Sequence, residues 1–506
     1  MKKLLYVSTF FLAITMYAQP NTEVYLLDIT EVDGRIELSN LINISNNEGY
    51  DNQPSFYDDN TVLFSSTRNG QTDIAKYNMG SMEISWLTDT PRGSEYSPLR
   101  IPASDDVSAI RLDTSGLQRL YQYDINTGKS EAIRKDAKVG YHLWYSKNIL
   151  VNTILVENRM DLVVSNFKDG TNYTVQKNVG RSLHKNPKAE EIYYISTEAD
   201  MTAVKSLHPV TGATKPITSL PAGTNDICML PDGNILFPSG KTIVSINPDT
   251  KESPKALHLF QEEEINNISR MAISSDGKHM AIVSEESPAI IVQKQVESYN
   301  AGNLDAFVNC YSENVVVRNF PNDTLYVGHE KMRKNYSSLS PDKKVYDVEV
   351  VKRIVIGNKV IDQEKVTGND KIQMQVALYE VADGKISSMT FIFDDDNASN
   401  PETIVQKQLD AYNQRDIEGF LETYTEDVAL YNFPAEKRSQ GQSEMRKGYT
   451  GFFETTPDLN CDIKNRIVIA NKVIDEEFIT ANGNNFSAVA VYEVENGKIA
   501  KVTFLR

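Results

Sequence analysis

Short apolar runs separated by polar turn residues fill the first half of the chain. The runs are found at 61–64, 192–195, 234–237 and 279–283, and Asn, Asp, Gly and Ser residues lie between them. Short runs rich in β-branched and aromatic residues predict β-strands. Landmark residues recur about every 40–45 positions, which is the length of one four-stranded propeller blade. Six landmarks predict six blades; they are Phe56, Leu99, Trp144, Pro187, Leu230 and Ile273.

The start of the chain is predicted to close this ring. A strand at 23–29 precedes the first blade, and we expect it to pair into the last one. Such pairing would remove an exposed strand edge. Arg68, Arg111 and Arg181 recur at blade-like positions. We expect them to form ion pairs between blades, with the lining of a polar central channel as the alternative.

The second half contains a segment that occurs twice. Residues 291–295 (IVQKQ) recur at 404–408, and residues 353–356 (RIVI) recur at 466–469, in each case 113 positions later. Roughly two positions in five are identical, which marks repeated units. Each copy begins with a Ser-Pro or Asn-Pro helix start and continues with apolar positions at helical spacing. Three helices followed by an antiparallel sheet are therefore predicted in each copy.

Charge and the first residues restrict the partners and the location. Asp and Glu outnumber Lys and Arg by 69 to 52, and the formal net charge is −17, so we expect no binding to nucleic acid. Two lysines followed by an apolar run are typical of a Sec signal peptide, here at 1–18. No later run reaches membrane-spanning length. The histidines lack metal-ligand spacing. We therefore expect an exported protein, periplasmic or secreted, with no membrane span, no metal and no cofactor.

Blade motifs in the first half resemble those of a known family. Residues 53–56 (QPSF) and 62–70 (VLFSSTRNG) resemble the repeat of TolB-type periplasmic propellers, and residues 231–233 (PDG) and 275–277 (SDG) resemble its turn. The resemblance implies an all-β propeller of about six blades at 21–285. It also implies a platform for a protein partner, because propellers of this type mostly bind partners or small ligands.

Helix motifs in the second half resemble another family. Residues 299–307 (YNAGNLDAF) and 412–417 (YNQRDI) resemble the SnoaL-like, nuclear transport factor 2-like superfamily. The resemblance implies two α+β cones, SnoaL-like domain 1 at 287–393 and SnoaL-like domain 2 at 400–506, joined by a linker at 394–399. Each cone is expected to enclose a pocket. Single cones of this family commonly dimerise sheet to sheet, so we expect that the two copies can form an intramolecular pseudo-dimer.

The superfamily includes ketosteroid isomerase, whose chemistry needs a carboxylate base, a tyrosine and a protonated aspartic acid. In both copies, the motif places amide or methyl side chains at all three positions. They are Asn319 and Asn432 for the base, Gln295 and Gln408 for the tyrosine, and Ala377 and Ala490 for the aspartic acid. An amide is no proton acceptor at neutral pH and a methyl group donates no hydrogen bond, so classical isomerase activity is not expected.

Two glutamates are the candidate catalytic residues. Glu364 alternates with Asp362 on one strand face, and Glu477 repeats this pattern in the second copy. Buried carboxylates at this spacing raise each other's pKa, which suits a proton acceptor. The alternative is structural, namely that these carboxylates pair with Arg353 and Arg466 on the neighbouring strand.

Twelve further side chains are predicted to line the pockets, although aromatic residues at helical spacing also suit a core. They are Gln295, Tyr299, Tyr311, Asn319, Phe320 and Tyr336 in the first copy, and Gln408, Tyr412, Tyr424, Asn432, Phe433 and Tyr449 in the second. We expect an exported binding and interaction protein whose cones hold a small apolar or mixed-polarity ligand. One alternative is an isomerase-, dehydratase- or cyclase-type enzyme acting through the glutamates. Another is a structural protein with filled cones.

Overall fold

The computed structural model describes residues 21–47, 49–198, 201–250, 252–262, 264–394 and 400–505. The predicted signal peptide at 1–18 and positions 395–399 of the predicted linker lie outside the described residues. The chain divides between Glu285 and Glu286 into two compact units. Among the helices of the described residues, none combines the length and the apolar composition that a membrane span requires.

The first unit consists of six antiparallel sheets of four strands each, which confirms the predicted propeller. In chain order the strands are β1 (Thr22–Val32), β2 (Arg35–Asn43), β3 (Asn52–Asp58), β4 (Thr61–Arg68), β5 (Gln71–Asn78), β6 (Glu83–Trp86), β7 (Gly93–Arg100), β8 (Val107–Asp113), β9 (Gln118–Tyr123), β10 (Ser130–Arg134), β11 (Val139–Ser146), β12 (Ile149–Val156), β13 (Arg159–Asn166), β14 (Thr171–Lys177), β15 (Val179–Lys185), β16 (Ile192–Ser196), β17 (Ala203–Leu207), β18 (Thr214–Ser219), β19 (Cys228–Met229), β20 (Ile235–Ser239), β21 (Thr242–Ile246), β22 (Lys255–Leu259), β23 (Asn267–Ile273) and β24 (His279–Glu285).

The first strands of the chain complete the last blade. β1 pairs antiparallel with β24 along residues 22–28 and 279–285, as predicted, and β2 adds a fourth strand outside it. Val24, Phe64 and Ala281 belong to one buried cluster that joins the first and last blades. Strand pairing and apolar burial therefore close the ring together.

The second unit contains two copies of three helices with a six-stranded sheet. The first copy has α1 (Pro288–Asn300), α2 (Leu304–Asn309), β25 (Tyr311–Asn319), β26 (Asp323–Val327), α3 (His329–Asn335), β27 (Asp347–Ile356), β28 (Lys359–Gly368), β29 (Lys371–Ala382) and β30 (Lys385–Phe393). The second has α4 (Glu402–Gln414), α5 (Ile417–Glu422), β31 (Tyr424–Asn432), β32 (Glu436–Gln440), α6 (Gln442–Thr455), β33 (Asn460–Ile469), β34 (Lys472–Ala481), β35 (Asn484–Glu495) and β36 (Lys498–Leu505).

The two sheets differ from the predicted antiparallel sheet in two respects. β25 pairs parallel with β30, and β31 pairs parallel with β36, while the other pairs are antiparallel. The edge strands β26 and β32 were not predicted. Their residues are almost all exposed, so they lack the apolar alternation from which a strand is predicted.

One face of each sheet covers its own cone, and the other faces meet between the two copies. Val360 lies in the core of the first cone, whereas the next residue, Ile361, belongs to a cluster shared with Ile474 and Val491 of the second copy. This alternation follows from the strand period of two. Lys352 Nζ also donates a 2.7 Å hydrogen bond across this junction. The two copies therefore pack sheet to sheet within one chain.

Candidate functional site

Several elements direct polar side chains into the second cone. Asp475 and Glu477 are buried on the same face of β34, two positions apart. Gln408 and Tyr412 lie one turn apart on α4, so both side chains project onto the same interior. Polar side chains from β34 and α4 thus lie together inside the cone, although most of its lining is apolar.

The neighbouring arginine pairs with the aspartate in both copies, and not with the glutamate. Arg466 Nε and Nη2 donate to the two carboxylate oxygens of Asp475, each at 2.7 Å. Arg353 binds Asp362 in the same bidentate way and at the same distances. The aspartates are therefore neutralised by a partner, which leaves each glutamate to other hydrogen bonds.

The glutamates accept from tyrosines on the adjacent strand. Tyr492 Oη donates to Glu477 Oε1 at 2.7 Å, and Tyr379 Oη donates to Glu364 Oε1 at 2.9 Å. Burial raises the pKa of Glu477 to about 7 against the opposing hydrogen bond from Tyr492. Burial likewise raises the pKa of Glu364 to about 7. Each carboxyl group can therefore give or take a proton near neutral pH.

A cavity of about 330 Å³ lies next to Glu477. Five of the predicted site residues line it, namely Gln408, Tyr412, Tyr424, Tyr449 and Glu477. The remaining lining residues are Leu409, Leu430, Arg438, Phe452, Cys461, Ile479, Phe486, Ala488, Tyr492, Val502 and Phe504. Arg438 and Phe486 are exposed, which places them at the rim. The site is therefore an aromatic and aliphatic chamber around one buried carboxyl group.

Three side chains of the first cone are larger than their counterparts in the second. Gln375, at the position of Ala488, donates from Nε2 to Glu364 Oε2 at 2.7 Å. Met389 replaces Val502, and its sulfur accepts a 3.5 Å hydrogen bond from a buried tyrosine. Tyr326, at the position of Ser439, packs against the core of the first cone. Oε2 of Glu364 thus already accepts a hydrogen bond from Gln375, whereas the short side chain of Ala488 leaves the space beside Glu477 open.

One family model matches the second half of the chain twice. Residues 292–389 and 405–502 each match the model of the SnoaL-like domain. Residues 292–502 therefore contain two SnoaL-like domains in tandem. No match was found among curated proteins.

Several solved structures are similar to parts of the chain. A cystatin fold protein from Novosphingobium aromaticivorans is 23% identical and has a TM-score of 0.21, over 22% of this chain and 100% of its own. A ketosteroid isomerase homologue from Kribbella flavida is 22% identical with a TM-score of 0.18, over 20% and 74%. The TolB homologue from Agrobacterium tumefaciens is 12% identical with a TM-score of 0.40, over 53% and 98%.

Four predicted pocket residues of the SnoaL-like domains make other contacts. Phe320 and Phe433 pack against the cluster between the two sheets. Asn319 Nδ2 donates to Asp323, and Asn432 Nδ2 donates to the carboxylate four residues further on. Asn319 and Asn432 are the last residues of β25 and β31. In the first SnoaL-like domain, Tyr299, Tyr311 and Tyr336 pack with Phe307 as core rings, and Gln295 is buried, with no hydrogen-bond partner for its Oε1 among the described residues.

The tyrosines that bind the glutamates, and the alanine that opens the second cone, were not among the predicted site residues. Tyr379 and Tyr492 stand at equivalent positions of the two copies, so the repeat itself contained a signal for them. Ala488 lies directly opposite Glu477 in the strand register, as Gln375 does opposite Glu364. Residues opposite each other on antiparallel strands are neighbours, so the register of this strand pair is the signal for the alanine.

Proposed function

We propose that the second SnoaL-like domain binds a small molecule and that the first is its structural partner. The observation that carries this proposal is the difference at one site: Ala488 leaves an open chamber at Glu477, whereas Gln375 caps Glu364. The volume lies at the small end of ligand pockets, which run from about 300 to 1,000 Å³. The occupant is therefore a compact molecule that fits inside a single cone.

The lining defines the chemistry of this ligand. Tyr412, Tyr449 and Phe452 offer aromatic surface for an apolar or ring-containing body. Glu477 has a pKa of about 7, so it can donate to a carbonyl group when protonated and accept from a hydroxyl group when ionised. A buried carboxylate disfavours an anionic ligand. We infer a neutral, mostly apolar molecule with one hydrogen-bonding group placed at Glu477.

We also propose that the protein is exported and that its propeller binds a protein partner. The basic and apolar beginning of the chain supports secretion through a signal peptide, and the acidic net charge of −17 argues against nucleic acid as a partner. The propeller serves as an interaction platform on this proposal, while the cones hold the small ligand.

The first test is to close the chamber with the residue of the first copy. We expect Ala488→Gln to abolish binding, because its amide would reach Glu477 as Gln375 reaches Glu364. The whole chain, purified from its exported form, would be studied by native mass spectrometry with organic extraction and by thermal shift against neutral lipids and polyketides. Ser487→Gln on the same strand is the matched control. Ligand retained by Ala488→Gln, or none bound by either protein across the library, would contradict a binding site at Glu477.

A second candidate function is proton transfer by Glu477, and its pKa near 7 is the observation that favours it. On this hypothesis, a bound carbonyl compound exchanges an acidic C–H proton with solvent. We expect deuterium incorporation in D2O, followed by NMR, to fall at least about 100-fold in Glu477→Gln, while thermal shift still reports binding. Equal exchange in both proteins would exclude Glu477 as the base, and ligand binding would then be the remaining function proposed for this cavity.

A further inference from the structure

A second cavity, of about 570 Å³, runs along the centre of the propeller. Residues of the innermost strand of each of the six blades line it, from β3, β7, β11, β15, β19 and β23. Toward one end of the channel, where these strands begin, polar and charged side chains gather at intervals of about one blade. They are Tyr50, Tyr96, Tyr141, Arg181, Asp226 and Arg270.

This polar ring has an excess of positive charge. Arg181 and Arg270 face a single carboxylate, Asp226, which is 4% exposed and already accepts a 2.9 Å hydrogen bond from the backbone N–H of Met271. Among the described residues, no carboxylate oxygen lies within 4.0 Å of either guanidinium group. Burial and the proximity of Arg270 both lower the pKa of Arg181.

The two other recurring arginines, in contrast, are paired with carboxylates. Arg68 forms an ion pair with Asp73 at 3.1 Å, and Arg111 forms one with Asp113 at 3.0 Å. Both pairs lie within a single blade, and Arg68 also contacts Asp89 at 3.5 Å in the connection to the next blade, so neither arginine pairs with a strand of a neighbouring blade as expected. Arg181 instead follows the alternative prediction and lines the channel.

The guanidinium groups retain unused hydrogen-bonding capacity. Arg181 Nη2 donates to Ser269 O at 2.6 Å, but its buried Nε has no partner among the described residues, and neither has Ser269 Oγ. Among the described residues, Arg270 Nη2 donates a long hydrogen bond of 3.4 Å to Tyr141 Oη, and the guanidinium carbon lies 5.1 Å from the centroid of the Tyr141 ring. Buried N–H donors without an acceptor lower the stability of the fold. In addition, two neighbouring guanidinium groups repel each other unless an anion lies between them.

The rest of the channel is suited to an apolar body. Beyond the arginines, apolar side chains such as Phe56, Leu99, Leu143 and Ile273 share the lining with serines and with His142, His184 and Lys185. A carboxylate matches the planar fork of arginine and accepts hydrogen bonds from tyrosine hydroxyl groups. We propose that the propeller channel binds a small organic carboxylate, with its head group between Arg181 and Arg270 and its apolar body along the channel.

The test is calorimetric titration of the whole chain with octanoate, with 1-octanol as the uncharged analogue and inorganic phosphate as an anion without an apolar body. We expect octanoate to bind more tightly than either. Arg181→Gln and Arg270→Gln should each weaken octanoate binding at least about tenfold, the scale of one lost charge-assisted hydrogen bond. The exposed Arg100→Gln is the charge-matched control and should bind as the original protein does.

Two further measurements separate this site from a structural role and from the cone. Both tryptophans, Trp86 and Trp144, lie in the propeller, so fluorescence-detected unfolding reports this unit. Octanoate should raise its midpoint, and the rise should vanish in Arg181→Gln and Arg270→Gln even where their ligand-free midpoints shift. Octanoate binding should also survive in Ala488→Gln. Binding lost in Ala488→Gln, equal binding of 1-octanol, or affinities unchanged by both arginine substitutions would overturn the proposal.

Discussion

Replacing Arg466 with alanine is expected to lower the free energy of unfolding of the second SnoaL-like domain by about 3–5 kcal/mol, the usual cost of breaking a buried ion pair. Asp475 is 1% exposed and would lose both of its 2.7 Å hydrogen bonds. Without the arginine its pKa would rise further, so the loss should be larger at pH 8 than at pH 5. Urea unfolding followed by far-UV circular dichroism measures the effect.

The repeat provides an internal replicate, since Arg353→Ala removes the equivalent pair with Asp362 in the first copy. Lys498→Ala, at an exposed position, controls for the loss of one positive charge. Adding Asp475→Asn to Arg466→Ala should recover part of the stability, because it removes the unpaired charge. An unchanged urea midpoint for Arg466→Ala would mean that the pair contributes nothing to the fold. Tryptophan fluorescence, which monitors the propeller, should not respond.

The Glu477→Gln substitution is expected to stabilise the same domain by about 3 kcal/mol at pH 8 and to have little effect at pH 5. The pKa of Glu477 in the folded protein is about 7, above that of an unfolded glutamate, because burial penalises its charge. Between these two values the folded state holds more protons than the unfolded state, so the stability of the original protein falls as the pH rises. Glutamine keeps an acceptor for Tyr492 and does not titrate.

The measurement is the difference in urea midpoint between the two proteins at pH 5 and at pH 8. Glu495→Gln, at an exposed position of the neighbouring strand, is the matched control and should show no such difference. Glu364→Gln should behave like Glu477→Gln, since burial raises the pKa of both glutamates in the same way. A difference that does not depend on pH would show that Glu477 ionises normally, and it would remove the basis for its role as a proton acceptor.

Local pattern was sufficient for most of the architecture. The six blades follow from strand-length apolar runs at a regular interval, and the closure by β1 follows from a strand that lacked a partner at the start of the chain. The three helices of each SnoaL-like domain follow from apolar positions at helical spacing. The exposed edge strands β26 and β32 escaped prediction, because a strand that buries almost nothing shows no alternation.

The candidate site was only partly predictable for a similar reason. Residues two apart on a strand share a face, so the sequence marked Asp475 and Glu477 as equally able to reach Arg466. In the folded domain, Arg466 binds Asp475, and Glu477 instead accepts a hydrogen bond from Tyr492. The partners come from β33 and β35, and the pairing register of these strands decides the outcome.

By itself, the sequence determined the number of structural units, their repetition and their acidic character, because periodicity and duplication are recorded directly in the order of residues. Only the tertiary structure decided that Ala488 borders an open cavity at Glu477 while Gln375 binds Glu364, and that Arg181 and Arg270 lie together without a carboxylate oxygen within 4.0 Å among the described residues. Both depend on side chains distant in the chain: Gln375 or Ala488 beside a glutamate, and Arg181 beside Arg270 across the channel. Volume and charge at such contacts are set by packing, which no local pattern contains.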